Sequence, residues 1–114
     1  MYLVTRSELM KVPVGTIFQR YVPHYLEDLN VFAGTCGSDF LQIQLTPSAC
    51  IPANGRRIIR VHGLCGREGY FDDNFQYLIW EPADQHRLAS WLLNPEEVLA
   101  ASDEETLRTD IVTE

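Results

Sequence analysis

Cysteine and histidine are the residue types here best suited to metal or covalent chemistry, and each occurs three times. Gly34, Thr35, Cys36 and Gly37 are echoed by Gly63, Leu64, Cys65 and Gly66, each set followed two residues on by an acid, Asp39 or Glu68. His62 stands three residues before Cys65, so a zinc site of Cys36, Cys50, His62 and Cys65 can be drawn. Zinc needs four converging ligands, normally supplied in pairs by knuckles. Only the half-knuckle of His62 and Cys65 exists, which points instead to small buried thiols at glycine-rich strand ends. Cys65 or Cys36 can be matched with His24 or His62 as nucleophile and base, yet no catalytic signature surrounds either thiol. The expectation is a chain with no metal, no cofactor and no catalytic residue. A small metalloprotein or cysteine-dependent enzyme is kept as an alternative.

Two further clusters have chemistry to offer. Segment 68–74 carries Glu68, Asp72 and Asp73, but lacks the twelve-residue spacing and closing glutamate of an EF-hand calcium loop. It reads as a polar turn whose acids sit at an exposed tip. Arg56, Arg57 and Arg60 form the basic cluster. On a strand, Arg56 and Arg60 share a face, and with His62 they suggest a phosphate site. That is the basis of a second alternative, a small-ligand or nucleotide-binding or sequestering protein.

Charge is the most directional feature. Residues 1–66 carry six basic and four acidic side chains, a net of +2, whereas 67–114 carry three basic and twelve acidic ones, a net of −9. The whole formal charge of −7 therefore comes from the second part. Such a surface repels nucleic acid and suits a basic protein surface of the kind that holds it. Asp72, Asp73, Glu96, Glu97, Asp103, Glu104 and Glu105 are the candidate partner-binding residues. Several of these acids also occupy first-turn helix positions, where the helix dipole favours them. Direct nucleic-acid binding is not expected, and self-association as a homodimer is left open.

The elements that must position these groups follow from spacing. Thr5 and Glu8 form a capping box that opens a short helix carrying Leu9 and Met10, which Pro13 stops. Segments 15–22, 29–33, 39–45, 56–64 and 75–81 read as strands, rich in β-branched and aromatic residues. In 39–45, Leu41, Ile43 and Leu45 alternate with Phe40, Gln42 and Gln44, which predicts the leucine and isoleucine side as the core face. Segment 46–55 reads as a loop ending in a tight Asn54–Gly55 turn. Tyr77, Leu78, Ile79 and Trp80 are apolar enough to place their strand centrally. Pro82 opens a helix with Leu88, Trp91 and Leu92 on one stripe. Asn94 starts a second helix and Ser102 a third, and the chain is expected to fray after Arg108.

The fold class is therefore α+β: a small, mostly antiparallel sheet of four to five strands, open or SH3-like and barrel-like. A short N-terminal helix and C-terminal helices flank it. At 114 residues the chain reads as one domain, with a core in 5–93 and an acidic helical segment in 94–114. No apolar run approaches a membrane span and no leader pattern is visible. The odd cysteine count argues against a secreted disulfide framework, which favours a cytoplasmic location.

One resemblance adds to this reading. The run Glu8, Leu9, Met10, Lys11, Val12, Pro13, Val14, Gly15, Thr16, Ile17 and Phe18 resembles the opening of many small phage and prophage accessory proteins. Gly69, Tyr70, Phe71, Asp72 and Asp73, followed by Tyr77, Leu78, Ile79, Trp80, Glu81 and a closing helix, are similar to the same group. These motifs are structural and carry no catalytic role. The resemblance implies a non-enzymatic protein that binds a host protein or nucleoprotein complex in the host cytoplasm. It further implies inhibition of a defence complex, such as CRISPR, by occupying a basic nucleic-acid-binding surface.

Overall fold

Thr5 ends one element and starts the next. The chain opens as strand β1 (Tyr2–Thr5) and turns directly into the single-turn helix α1 (Arg6–Leu9). The Glu8 amide donates to Thr5 Oγ1 at 3.3 Å, and the Thr5 amide donates to Glu8 Oε1 at 3.1 Å. This is the expected capping box, which satisfies two amide groups that a helix start leaves open. Thr16 Oγ1 then donates to the Pro13 carbonyl at 2.7 Å and closes the turn into the next strand.

The computed structural model describes residues 1–23, 25–47, 50–59, 66–67, 75–100 and 112–113. After α1 come β2 (Ile17–Val22), β3 (Tyr25–Leu26), β4 (Asn30–Cys36), β5 (Asp39–Gln44), β6 (Cys50–Ala53) and β7 (Arg56–Ile59). There follow β8 (Gly66–Arg67), β9 (Gln76–Trp80), helix α2 (Pro82–Leu93), helix α3 (Glu96–Ala100) and β10 (Val112–Thr113). The main sheet runs β10-β1-β9-β2-β4-β5-β8, with β3 added beside β2. Every pairing in it is antiparallel except β1 with β10. The α+β class and the antiparallel sheet are as the sequence predicts.

Several boundaries differ from expectation. Tyr2–Thr5 forms a strand, and Val112–Thr113 pairs with it where fraying was expected. The sheet thus takes in residues outside the expected 5–93 core. The expected loop 46–55 contains β6, which pairs with β7 in a separate two-stranded sheet. Pro52 is tolerated there because a two-stranded ribbon has only edge strands. Asn54 (φ 50°) and Gly55 (φ 75°) are both left-handed, as the two-residue hairpin turn requires.

Strand β9 lies inside the sheet between β1 and β2, as its apolar run predicts: Tyr77, Leu78 and Ile79 are all buried. Alternation puts Tyr77 and Ile79 on one face and Leu78 on the other. The first face holds the core, where Val4, Leu9, Phe18, Phe32, Phe40, Tyr77 and Ile79 form one cluster under α1. Phe40 meets Phe18 at 5.9 Å and Tyr77 at 5.7 Å between centroids, both edge-to-face. Such aromatic pairs add about 0.5–1.5 kcal/mol beyond area burial.

This corrects the expected face of β5. Phe40 is fully buried, while Leu41 and Ile43 are half-buried and Leu45 is 39% exposed. Gln42 and Gln44, expected towards solvent, are half-buried on the Phe40 side. The aromatic ring, with its larger area and its three aromatic neighbours, decides which face is core.

One charge pair is enclosed with this cluster. Arg6 and Asp39 are both buried, with Arg6 Nη2 3.3 Å from Asp39 Oδ1. The same Nη2 donates to the Ser38 carbonyl at 2.7 Å, and the Phe40 amide donates to Asp39 Oδ1 at 2.8 Å. The guanidinium also lies 5.9 Å from the Phe40 ring centroid. A buried pair is expensive to break from one side, because the remaining charge loses its partner. Arg6→Met and Asp39→Asn should each lower the unfolding free energy by about 3–5 kcal/mol in urea titrations. The double variant should lose less than the sum of the two. In the same assay Phe40→Ala should cost about 3–5 kcal/mol and the more exposed Leu45→Ala less than about 1.

Candidate partner-binding surface

The end of β9 and the two helices after it build the surface with the most unusual exposure. Glu81 caps α2, Pro82 stands at its first position, and the Asp84 carboxylate accepts the Glu81 amide at 2.9 Å. Trp80 is pinned from two sides. Its indole N–H donates to Gln19 Oε1 at 2.9 Å, and its carbonyl accepts from Gln85 Nε2 at 3.2 Å. Arg87 lies over the Trp91 ring at 5.4 Å and 3.7 Å from Asp84. Leu88 and Trp91 are half-buried, so this part of the predicted stripe does turn inward.

The rest of the stripe does not. Leu92 is 74% exposed, Leu93 is 81% exposed, and Leu99 on α3 is 78% exposed. An apolar cleft of about 250 Å³ lies between α2 and the sheet, walled by Ile17, Leu29, Leu45, Trp80, Leu88 and Leu92. A second hollow of about 500 Å³ lies across Trp80 and Gln85, against Tyr2, Pro13 and Val14. A large exposed apolar patch on a folded domain marks an interaction site.

Acids stand beside these leucines. Glu96 and Glu97 are exposed in the first turn of α3, and Glu97 Oε2 accepts from Ser90 Oγ at 3.1 Å, which ties α3 back to α2. Asn94 donates its side-chain amide to the Ser90 carbonyl at 3.3 Å and so closes α2 as well as leading into α3. Asp72, Asp73, Asp103, Glu104 and Glu105 lie outside the described residues. Of the expected acidic set, Glu96 and Glu97 are therefore the two placed, and both are exposed, between Leu93 and Leu99 in sequence. The leucines themselves were missed as a feature. The signal was present for Leu93, which at about 100° per residue falls well off the stripe of Leu88, Trp91 and Leu92; for Leu92, which is on that stripe, there was none.

The alternative sites divide. Arg56 is exposed on β7, away from the main sheet, while Arg60 and His62 lie outside the described residues. Cys36 is exposed at the end of β4, and Cys50 stands on the separate β6–β7 ribbon. Cys65, His62 and His24 lie outside the described residues. Among the described residues no group of three or more histidine, cysteine or acidic side chains is placed to hold a metal. No helix among them is long and apolar enough to cross a membrane. No family model, curated protein or solved structure matches this chain.

Asp84 carries an electrostatic shift. Burial alone raises its pKa, but the Met1 amino group at 2.9 Å, the Glu81 amide and Arg87 outweigh that and hold it below the ordinary 3.8. A depressed carboxylate stabilises the fold above its unfolded pKa and loses that contribution as pH falls through the folded one. The stability gap between the parent and Asp84→Asn should therefore be full above about pH 4 and close at lower pH. Urea midpoints measured from pH 6 to pH 2.5 would check it.

Proposed function

We propose that this protein is a non-catalytic binding module that docks a basic protein surface through α2 and α3. The observation that carries the reading is the set of exposed leucines, Leu92, Leu93 and Leu99, beside the outward acids Glu96 and Glu97. Apolar contact would supply the desolvated centre of the interface, and the acids its steering rim. The charge division of the sequence supports the same partner chemistry, since −9 of charge falls in residues 67–114.

The resemblance to phage accessory proteins gives this reading its specific form. The partner would be a host complex that handles nucleic acid, such as a CRISPR effector, and the acidic face would compete for its basic groove. Inhibition would then follow from occupancy alone, with no bond made or broken. The work of such an inhibitor is done at the rim and the leucine centre, which respond to different variants.

Affinity capture with tagged protein provides the test. The parent should retain a basic nucleic-acid-handling protein and release it in a salt gradient, because exposed charges are screened over about 8–10 Å at 0.1–0.15 M salt. Glu96→Lys with Glu97→Lys should elute at lower salt or fail to retain it. Leu92→Ser with Leu93→Ser should lose it even at low salt, while both variants keep the parent's unfolding free energy within about 0.5 kcal/mol, as surface changes do. Undiminished capture by both double variants would overturn the reading.

A further inference from the structure

The β6–β7 ribbon is the one described element pair that shares no ladder with the main sheet. Its strands are four residues each, about 13 Å long at the usual rise. A two-stranded ribbon alone is marginally stable in water and gains from being covered. Its tip is basic: Asn54 and Gly55 make the turn, and Arg56 and Arg57 follow it, both exposed. Among the described residues neither arginine has an ion-pair partner, so the acids of their own chain's α2 and α3 do not neutralise them. From 40 to 67 the sequence holds four arginines and no acid at all.

Among the described residues the molecule therefore exposes two arginines at the tip of a separate ribbon, and three leucines with two acids on α2 and α3. We propose that the two meet between copies: the β6–β7 ribbon of one chain docks on the α2–α3 surface of a second. Arg56 and Arg57 would face Glu96 and Glu97, and the ribbon's backbone would lie against Leu92 and Leu93. Two such contacts related by a two-fold axis close a dimer, whereas an unreciprocated contact would extend into a filament. The inference rests on the reading of α2–α3 as a docking surface. It adds that the chain's own ribbon is the resting occupant, which a foreign basic partner displaces.

Light scattering on the purified full chain tests it. At 50 mM salt the parent should weigh twice the 13.0 kDa of one chain, and it should shift towards the single-chain mass in 0.5 M salt. Arg56→Glu with Arg57→Glu should be monomeric at both salts. The quadruple variant that adds Glu96→Arg and Glu97→Arg should recover the double mass, since each swapped ribbon again meets its opposite. A parent that stays at the single-chain mass at low salt would overturn the inference. So would an arginine double variant that remains dimeric, or a quadruple variant that fails to recover while folded by circular dichroism. Capture of the basic partner separates the two readings. If the parent is monomeric yet the partner is held and lost on Leu92→Ser with Leu93→Ser, self-docking fails and the binding module stands. If neither mass nor capture responds to changes at Leu92, Leu93, Glu96 and Glu97, both fail.

Discussion

The buried pair of Arg6 and Asp39 holds the two halves of the core in register. Arg6 is the first residue of a one-turn helix, an element far too short to persist by its own hydrogen bonds. Asp39 opens β5, thirty-three residues later, and uses the same oxygen to receive the Phe40 amide. The guanidinium bonds the Ser38 carbonyl as well, so the β4–β5 turn and α1 are fixed against each other at one point. Leu9 is placed over the aromatic face as a consequence, and Phe40 is held where Phe18, Phe32 and Tyr77 meet it. Burying a charge pair contributes little to net stability, but it penalises any packing that would separate the two ions. In this core the pair specifies one arrangement of helix and hairpin.

Much of this was legible in the residues, and the failures have physical causes. The Thr5–Glu8 box, the Asn54–Gly55 turn, the interior position of β9 and the Pro82 start are local signals, and each appears in the structure, whereas α1 ends at Leu9, well before Pro13. Strand β1 was missed because Tyr2, Leu3 and Val4 are too few to show a period, and their partner lies more than seventy residues away. β6 was missed because Pro52 suggests a loop, yet an edge strand accepts it. The face of β5 was misread because period-two counting weighs one phenylalanine no more than one leucine, whereas packing weighs ring area and aromatic neighbours. No property of Arg6 or Asp39 in the sequence announces that they pair.

The candidate surface shows a different kind of limit. The acids at Glu96 and Glu97 could be found by counting charge, but charge alone also describes a solvated helix. What distinguishes this face is that Leu92, Leu93 and Leu99 remain outside when the fold is complete, and only burial reveals that. The same holds for the basic ribbon, whose separation from the main sheet depends on pairing that composition does not encode. Exposed arginines on the ribbon and exposed acids on α3 give the described residues charge of opposite sign on separate elements.

The position of β9 between β1 and β2 also dictates an order of assembly. A ribosome releases Tyr2–Thr5 first, yet that strand has no antiparallel neighbour until Gln76–Trp80 has emerged. Until then β1 and the β9-facing edge of β2 present open backbone donors and acceptors, while β4 and β5 can already pair. Folding is thus weighted towards late, long-range closure, which slows it and lengthens the time that sticky edges are on view. A nascent chain stalled before residue 76 would hold the β4–β5 hairpin and lack the middle of its sheet. For this topology the interval between the emergence of β2 and that of β9 sets how long those edges stay unpaired.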